Sequence, residues 1–367
     1  MGGFDPTALS VDEKIGQLFF IGIPGPDLDA NTVKLLEKVR PGGVCLFARN
    51  IKEAEQTRKL LDRIRASLEI EPLLSLDQEG GRVDRLRRIL TPMPAASQLR
   101  ELEHARELGS IIAKALSLLG FNMDFAPVVD VADASRGHLV NGLQTRGFGS
   151  TEKEVVTYAG AFLDSLSEKG ILGCLKHFPG LAAAQVDSHE ELPMIPVDRV
   201  ELDSTDLFPY REMLGRVGIS VMVAHATYPN TDLQELDANG KLLPSSLDPR
   251  IVTSLLRDEL RFTGVAITDD MEMGAVVRNY GIGEACKMAI LAGEDMLAIC
   301  ASQEAIYEAH RAVTEAVKAG EINEPRIDES IRRIAELKGK ISEPSAFDKD
   351  ELAEIDERIK RLIQHLN

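Results

Sequence analysis

Residues Ile171–His189 read ILGCLKHFPGLAAAQVDSH, and the reading of the whole chain starts there. Ile171–Leu175 is a short apolar run preceded by Gly170 at the end of a helical pattern, the signature of a buried strand. Lys176 and His177 follow where the strand gives way to a loop, and Pro179-Gly180 turns the chain. After the small residues Leu181–Ala184 comes Asp187-Ser188-His189. Residues i and i+2 of an extended segment point the same way, so the Asp187 carboxylate can reach the His189 imidazole. That pairing suits a proton-transferring histidine held by an acid. The same spacing is also common in polar surface loops, so it does not decide the matter alone.

Apolar strand-like runs punctuated by helical patterns recur on both sides. Strands are expected at Leu18–Ile23, Val44–Phe47, Pro72–Leu76, Phe121–Val131, Ser220–Ala224, Gly264–Thr268 and Asp295–Cys300. Amphipathic helices are expected between them, for example Glu53–Leu68, Met93–Leu119 and Thr151–Lys169. Continuous apolar strands alternating with helices indicate a parallel sheet covered on both faces. About eight such strands predict an α/β fold of the TIM type, a single (β/α)8 barrel. An open doubly wound sheet is the alternative. No linker is visible, so residues 1–367 are expected to form one catalytic domain, with C-terminal helices from about residue 302 packing on it. Five strands end on protic groups: Asp77, Asp130, Lys176-His177, His225 and Asp269-Asp270. A barrel gathers such ends on one face, where active sites form.

The net charge of the 367-residue chain is −17, which argues against nucleic acid and against anionic membrane surfaces as partners. No apolar run approaches ~18 residues, so no membrane span is expected. MGGFDPTALSVDEK lacks the features of a signal peptide. Cys45, Cys174, Cys286 and Cys300 form no CxxC pair and read as buried thiols of a reducing, cytoplasmic setting.

Two further clusters carry chemistry. In Asp77-Gln-Glu-Gly-Gly-Arg-Val-Asp-Arg85, the glycines allow the backbone close to a ligand. Asp77 could bind sugar hydroxyls, and Arg82 and Arg85 an anionic or hydroxylated group. In Thr268-Asp-Asp-Met-Glu-Met-Gly274, a carboxylate at a strand end could serve as nucleophile, base or metal ligand, and Asp270 equally well as a helix cap. Met271 and Met273 read as packing residues.

LDQEGGRVDRL, MDFAPVVDV, RGFGS, KHFPG followed by DSH, VMVAHATYP and VAITDDMEMGA occur in the order seen in family-3 glycoside hydrolases. From about Glu13 to about Leu297 the chain resembles the bacterial β-N-acetylglucosaminidases of peptidoglycan recycling. The resemblance implies retaining hydrolysis of a terminal β-linked N-acetylglucosamine. It implies Asp269 as the nucleophile and His189, paired with Asp187, as the general acid/base. It also implies Asp77, Arg85, Arg146, Lys176 and His177 as the residues that hold the sugar. A histidine acid has an ordinary pKa near ~6.5, which a neighbouring carboxylate raises. The implied partner is a small saccharide or muropeptide. No cofactor is implied, and the oligomeric state stays open. His177, His189 and His225 would suit a metal-dependent barrel, but there is no HxH after the first strand and no HExxH, so no metal is expected.

The chain departs from the family pattern where KHFPG is usually followed by His-Gly; Leu181-Ala182 stand instead. Thr268 also replaces a more usual serine. A β-glucosidase, a β-glycoside phosphorylase and a non-catalytic sugar-binding barrel remain the alternative readings.

Overall fold

In the computed structural model of the chain, residues 3–133, 136, 142–184 and 192–366 are described. The first strand, β1 (Phe19–Gly22), is buried at every residue, as a strand sandwiched between helices must be. It pairs in parallel with β2 (Gly43–Cys45) and β9 (Leu297–Ile299), and β2 pairs with β3 (Leu73–Ser75). A second parallel sheet has the order β6 (Gly173–Phe178), β7 (Ile219–Val223), β8 (Val265–Thr268). Between β3 and β6 in the chain lies a short antiparallel hairpin of β4 (Gln78–Gly80) and β5 (Val83–Asp84).

Regular ladders thus fall into sheets of four and three strands, not into one continuous eight-stranded sheet. The expected strand at Phe121–Val131 is irregular. It makes single parallel bridges, Met123 to Leu172 and Val128 to Lys176, and the Phe125 N–H donates to the Leu76 carbonyl at 2.9 Å. Two physical causes are visible. Pro127 has no N–H to offer a ladder. The Asn122 and Asp124 side chains take the N–H groups of Leu74 and Gln78, at 2.7 and 2.9 Å, in place of backbone carbonyls. On the other side, Ile267 bridges Met296 just before β9.

Helices cover the strands, and their starts follow capping chemistry. Ser10 opens Val11–Gln17 with a capping box to Glu13, and Thr151 opens Glu152–Glu168 in the same way with Glu154. The helix expected from Met93 begins at Leu102, beyond Pro92 and Pro94. Three C-terminal helices follow β9: Gln303–Ala319, Glu324–Lys338 and Lys349–Leu366. The last lies on Leu102–Leu119, where Arg358 forks onto the Glu107 carboxylate at 2.9 Å through both nitrogens. One hydrophobic cluster runs through the described chain from Ile15 to Leu362. All four cysteines are buried free thiols. Among the described residues, no helix is long and apolar enough to cross a membrane.

Candidate active site

The C-terminal ends of β3, β6 and β8 deliver polar side chains to one cavity of about 200 Å³. Asp77, Arg85, Arg146, Lys176, His177 and Asp269 line it, against an apolar wall that includes Phe47, Phe125, Leu181, Met222 and Met273. A larger groove of about 710 Å³ lies beside Lys38, Tyr307 and His310, but it is a helix-surface feature remote from the strand ends. Chemistry belongs with the smaller cavity, where convergent charged groups meet an apolar wall.

Local sequence explains each placement. Asp77 follows the last apolar residue of the β3 run. Residues 78–84 then form the β4–β5 hairpin, not the start of a helix. Gly80 and Gly81 turn it with φ of 88° and 59°, and a Cβ on Gly80 would lie 2.3 Å from the Pro94 carbonyl oxygen. Gln78 holds the hairpin: its amide donates to Asp84 at 2.9 Å and its Oε1 accepts from the N–H groups of Arg85 and Leu86. Arg85 is thereby turned toward Asp77. β6 runs on past Leu175 to include Lys176 and His177. Strand alternation would send these two side chains to opposite faces. The register against β7 slips at this point, with Lys176 opposite Met222 and Phe178 opposite Val223, and an irregularity of this kind re-aims a side chain. Both residues reach the cavity.

A buried ion cluster results. Lys176 Nζ lies 2.7 Å from Asp77 Oδ1 and 2.7 Å from Glu79 Oε1. Arg146 forks onto Glu79 at 2.8 and 2.9 Å, and Arg85 Nη2 lies 3.3 Å from Asp77. Burial, the largest single influence, opposes charge on both acids, but Lys176 and Arg85 together outweigh it at Asp77, and Lys176 and Arg146 together at Glu79. Asp77 is held well below the ordinary carboxylate range, and Glu79 is lowered to about 2. Burial likewise works against the Lys176 ammonium, but Asp77 and Glu79 raise its pKa above that of a free lysine.

His177 Nδ1 lies 2.7 Å from Asp130 Oδ2, and Arg146 Nη2 is 3.4 Å from His177 Nε2. Asp269 follows β8. Its N–H donates to the Val223 carbonyl at 2.9 Å, and its Oδ1 accepts the Asp270 N–H at 2.8 Å. Asp270 does not cap the helix Gly274–Tyr280, whose N-cap position is Met273. Its Oδ1 accepts the Glu272 N–H at 3.1 Å, and burial pushes its carboxyl up to about 7. His225 is fully buried and outside the cavity lining. Its Nε2 donates to the Asp270 carbonyl at 3.1 Å, so Nδ1 accepts from the Ser246 hydroxyl at 2.6 Å. Burial lowers the His225 pKa. Met271 is buried packing, as expected, and Met273 is part of the cavity wall.

Asp269 and all five residues expected to hold a sugar therefore share one cavity. Arg82 does not line it; this exposed side chain lies against Gly142. Asp187 and His189 lie outside the described residues. Sequence reading missed Glu79, the shared partner of Lys176 and Arg146, although the i, i+2 rule places it beside Asp77. It read Asp130 only as a strand end. Leu181 proves to be cavity wall. Among the described residues, no group of three or more His, Cys, Asp or Glu is placed to hold a metal ion.

Comparison with known proteins defines the class. Residues 10–337 match the glycosyl hydrolase family 3 N-terminal domain. A β-hexosaminidase of Alkalilimnicola ehrlichii is 33% identical over 297 residues, covering 78% of this chain and 81% of that protein. A family 3 β-N-acetylglucosaminidase from a Paenibacillus species superposes with a TM-score of 0.86 at 32% identity, over 97% of this chain and 69% of that one. NagZ from Neisseria gonorrhoeae superposes with a TM-score of 0.78 at 26% identity, over 94% of this chain and 97% of its own. The chain belongs to glycosyl hydrolase family 3, and it is a glycosidase.

Proposed function

We propose that this glycosidase is a retaining β-N-acetylglucosaminidase that removes terminal non-reducing N-acetylglucosamine from cell-wall-derived saccharides. The observation that carries the reading is the shared cavity: Asp269 together with Asp77, Arg85, Arg146, Lys176 and His177. The names of the relatives point the same way. Retaining hydrolysis needs a nucleophile on one side of the anomeric carbon and an acid on the other. Asp269 would attack and form a glycosyl ester, while His189, polarised by Asp187, would protonate the departing oxygen. In the second half-reaction the same imidazole would take a proton from water. The carboxylates of Asp77 and Glu79 and the three cations around them offer acceptors and donors to sugar hydroxyls.

The reading extends to the scaffold. We take the two sheets, with segment 121–131 between β3 and β6 and the Ile267–Met296 bridge on the other side, as a (β/α)8 barrel. We take residues 1–367 as one catalytic domain with the helices after about residue 302 packed upon it; the hydrophobic cluster from Ile15 to Leu362 supports this. Four buried free thiols support a cytoplasmic setting. We propose muropeptides among the substrates, in keeping with a peptidoglycan-recycling role.

A panel of aryl β-glycosides tests the proposal. Turnover of the N-acetylglucosaminide well above that of the glucoside, unaffected by phosphate, is the expected result. Preference for glucoside would make the enzyme a β-glucosidase, and a rate requiring phosphate would make it a phosphorylase.

A further inference from the structure

We propose that Asp130 is a positioning residue that locks His177 as the neutral, Nδ1-protonated tautomer, so that Nε2 meets the cavity as a hydrogen-bond acceptor. The ring is read from both ends. Nδ1 faces the Asp130 carboxylate at 2.7 Å, and a carboxylate only accepts, so Nδ1 carries the proton. Nε2 faces Arg146 Nη2 at 3.4 Å, and a guanidinium only donates, so Nε2 carries a lone pair. Two neighbours that cannot exchange roles fix one tautomer.

Asp130 is itself held. It is 2% exposed, and its Oδ1 accepts the Leu181 N–H at 2.6 Å while Oδ2 also accepts the backbone N–H of His177 at 3.3 Å. The turn between these residues is pinned independently. The Tyr228 hydroxyl donates to the Gly180 carbonyl at 2.7 Å, and a Cβ on Gly180 would sit 2.5 Å from the Asp206 Cβ. One carboxylate therefore sets both the ring of His177 and the path of the chain into the apolar wall at Leu181.

The consequence for recognition rests on the sugar-cleaving reading above. A ring nitrogen that only accepts selects a group that donates. At that point of the cavity the site takes a hydroxyl and disfavours an uncharged substituent lacking a proton, such as an O-methyl ether. In the free site the Nε2 lone pair is met by Arg146 at 3.4 Å, and a substrate hydroxyl replaces that long contact with a shorter one. A substrate without the hydroxyl forgoes a net hydrogen bond of about 0.5–1.5 kcal/mol, which converts to roughly 2- to 13-fold in kcat/KM.

The test starts with the full-length wild-type enzyme labelled with 15N-histidine, the His177 signals being assigned through their loss in His177→Gln. Nδ1 protonated and Nε2 unprotonated near neutral pH is the expected pattern; a protonated Nε2 overturns the proposal, whatever the enzyme's substrate. Asp130→Asn is the second arm. An amide offers one acceptor where the carboxylate offered two, and its NH2 group facing Nδ1 would drive the proton to Nε2, against Arg146. KM for the aryl glycoside the enzyme cleaves should rise about tenfold, the lower end for loss of an orienting partner. kcat should change less, and the histidine spectrum should be altered. An unaltered spectrum together with an unaltered KM overturns the proposal. If that variant does not fold, the wild-type spectrum alone decides. Failure to cleave any aryl glycoside would sink the sugar-cleaving reading and leave the tautomer measurement standing.

Discussion

Lys176 and Asp77 are separated by 99 positions in sequence, and the ammonium nitrogen lies 2.7 Å from the carboxylate oxygen. Lys176 is 1% exposed and also carries Glu79 at 2.7 Å. Removing it would leave half-buried Asp77 with Arg85 alone and buried Glu79 with Arg146 alone. Breaking a buried pair from one side typically costs about 3–5 kcal/mol. With those arginine partners kept, Lys176→Met should lower stability by no more than that and abolish sugar binding, as measured by thermal melting and by product titration. A melt within a degree of wild type would show that the cluster contributes little to the fold.

Asp269→Ala should remove the proposed nucleophile. Turnover of an aryl N-acetyl-β-glucosaminide should fall on the order of 10⁴-fold or more. The side chain is bonded to the adjacent Asp270 N–H at 2.8 Å, so the folded state should survive with little loss. Activity close to wild type in a folded variant would defeat the proposed mechanism.

His189→Ala separates acid catalysis from the rest of the machinery. Activated aryl leaving groups need little protonation, whereas a natural sugar alcohol needs much. Cleavage of a disaccharide should drop at least ten times further than cleavage of a nitrophenyl glycoside. Equal losses on both substrates would count against the acid role.

Asp270 supplies a pH signature. Its carboxyl sits at about 7 in the folded chain because burial penalises the charge. An unfolded aspartate titrates near ~3.9. The sign follows: the protonated side chain favours the native state, fully so below pH ~4, and that contribution is lost as pH rises toward 7. Asp270→Asn keeps the neutral shape and removes the loss. Its melting temperature relative to wild type should climb between pH 5 and pH 8, by the equivalent of on the order of 3 kcal/mol at most. Asp206 and Asp248, both raised to about 6, are present in both proteins and cancel in the comparison. A difference that does not vary with pH would show that Asp270 is not titrating there.

Much of the parallel α/β layout is legible because each strand is an unbroken apolar run, and Asp77, Lys176 and Asp269 stand out because each follows one. The irregular course of 121–131 is less legible: it depends on which backbone N–H groups the Asn122 and Asp124 side chains capture, a property of tertiary neighbours. Lys176 and His177 both facing the cavity depends on a register slip that side-chain alternation does not foretell. Glu79 was within reach, since the i, i+2 rule that led to the expected pairing of Asp187 with His189 also places it beside Asp77. Asp130 was not, because its value lies in the ring 47 positions later that it orients.

Four acids and three permanent cations stand at or just behind the cavity wall: Asp77, Glu79, Asp269 and Asp270 against Arg85, Arg146 and Lys176. With the Asp270 carboxyl pushed up to about 7, their charges at neutral pH come to between zero and −1, in a protein that carries −17 overall. An uncharged sugar entering such a pocket displaces no counter-ions, and the pocket's own attractions act over a few ångströms, shorter than the distance over which salt screens charge. Binding of the sugar should accordingly change little with ionic strength.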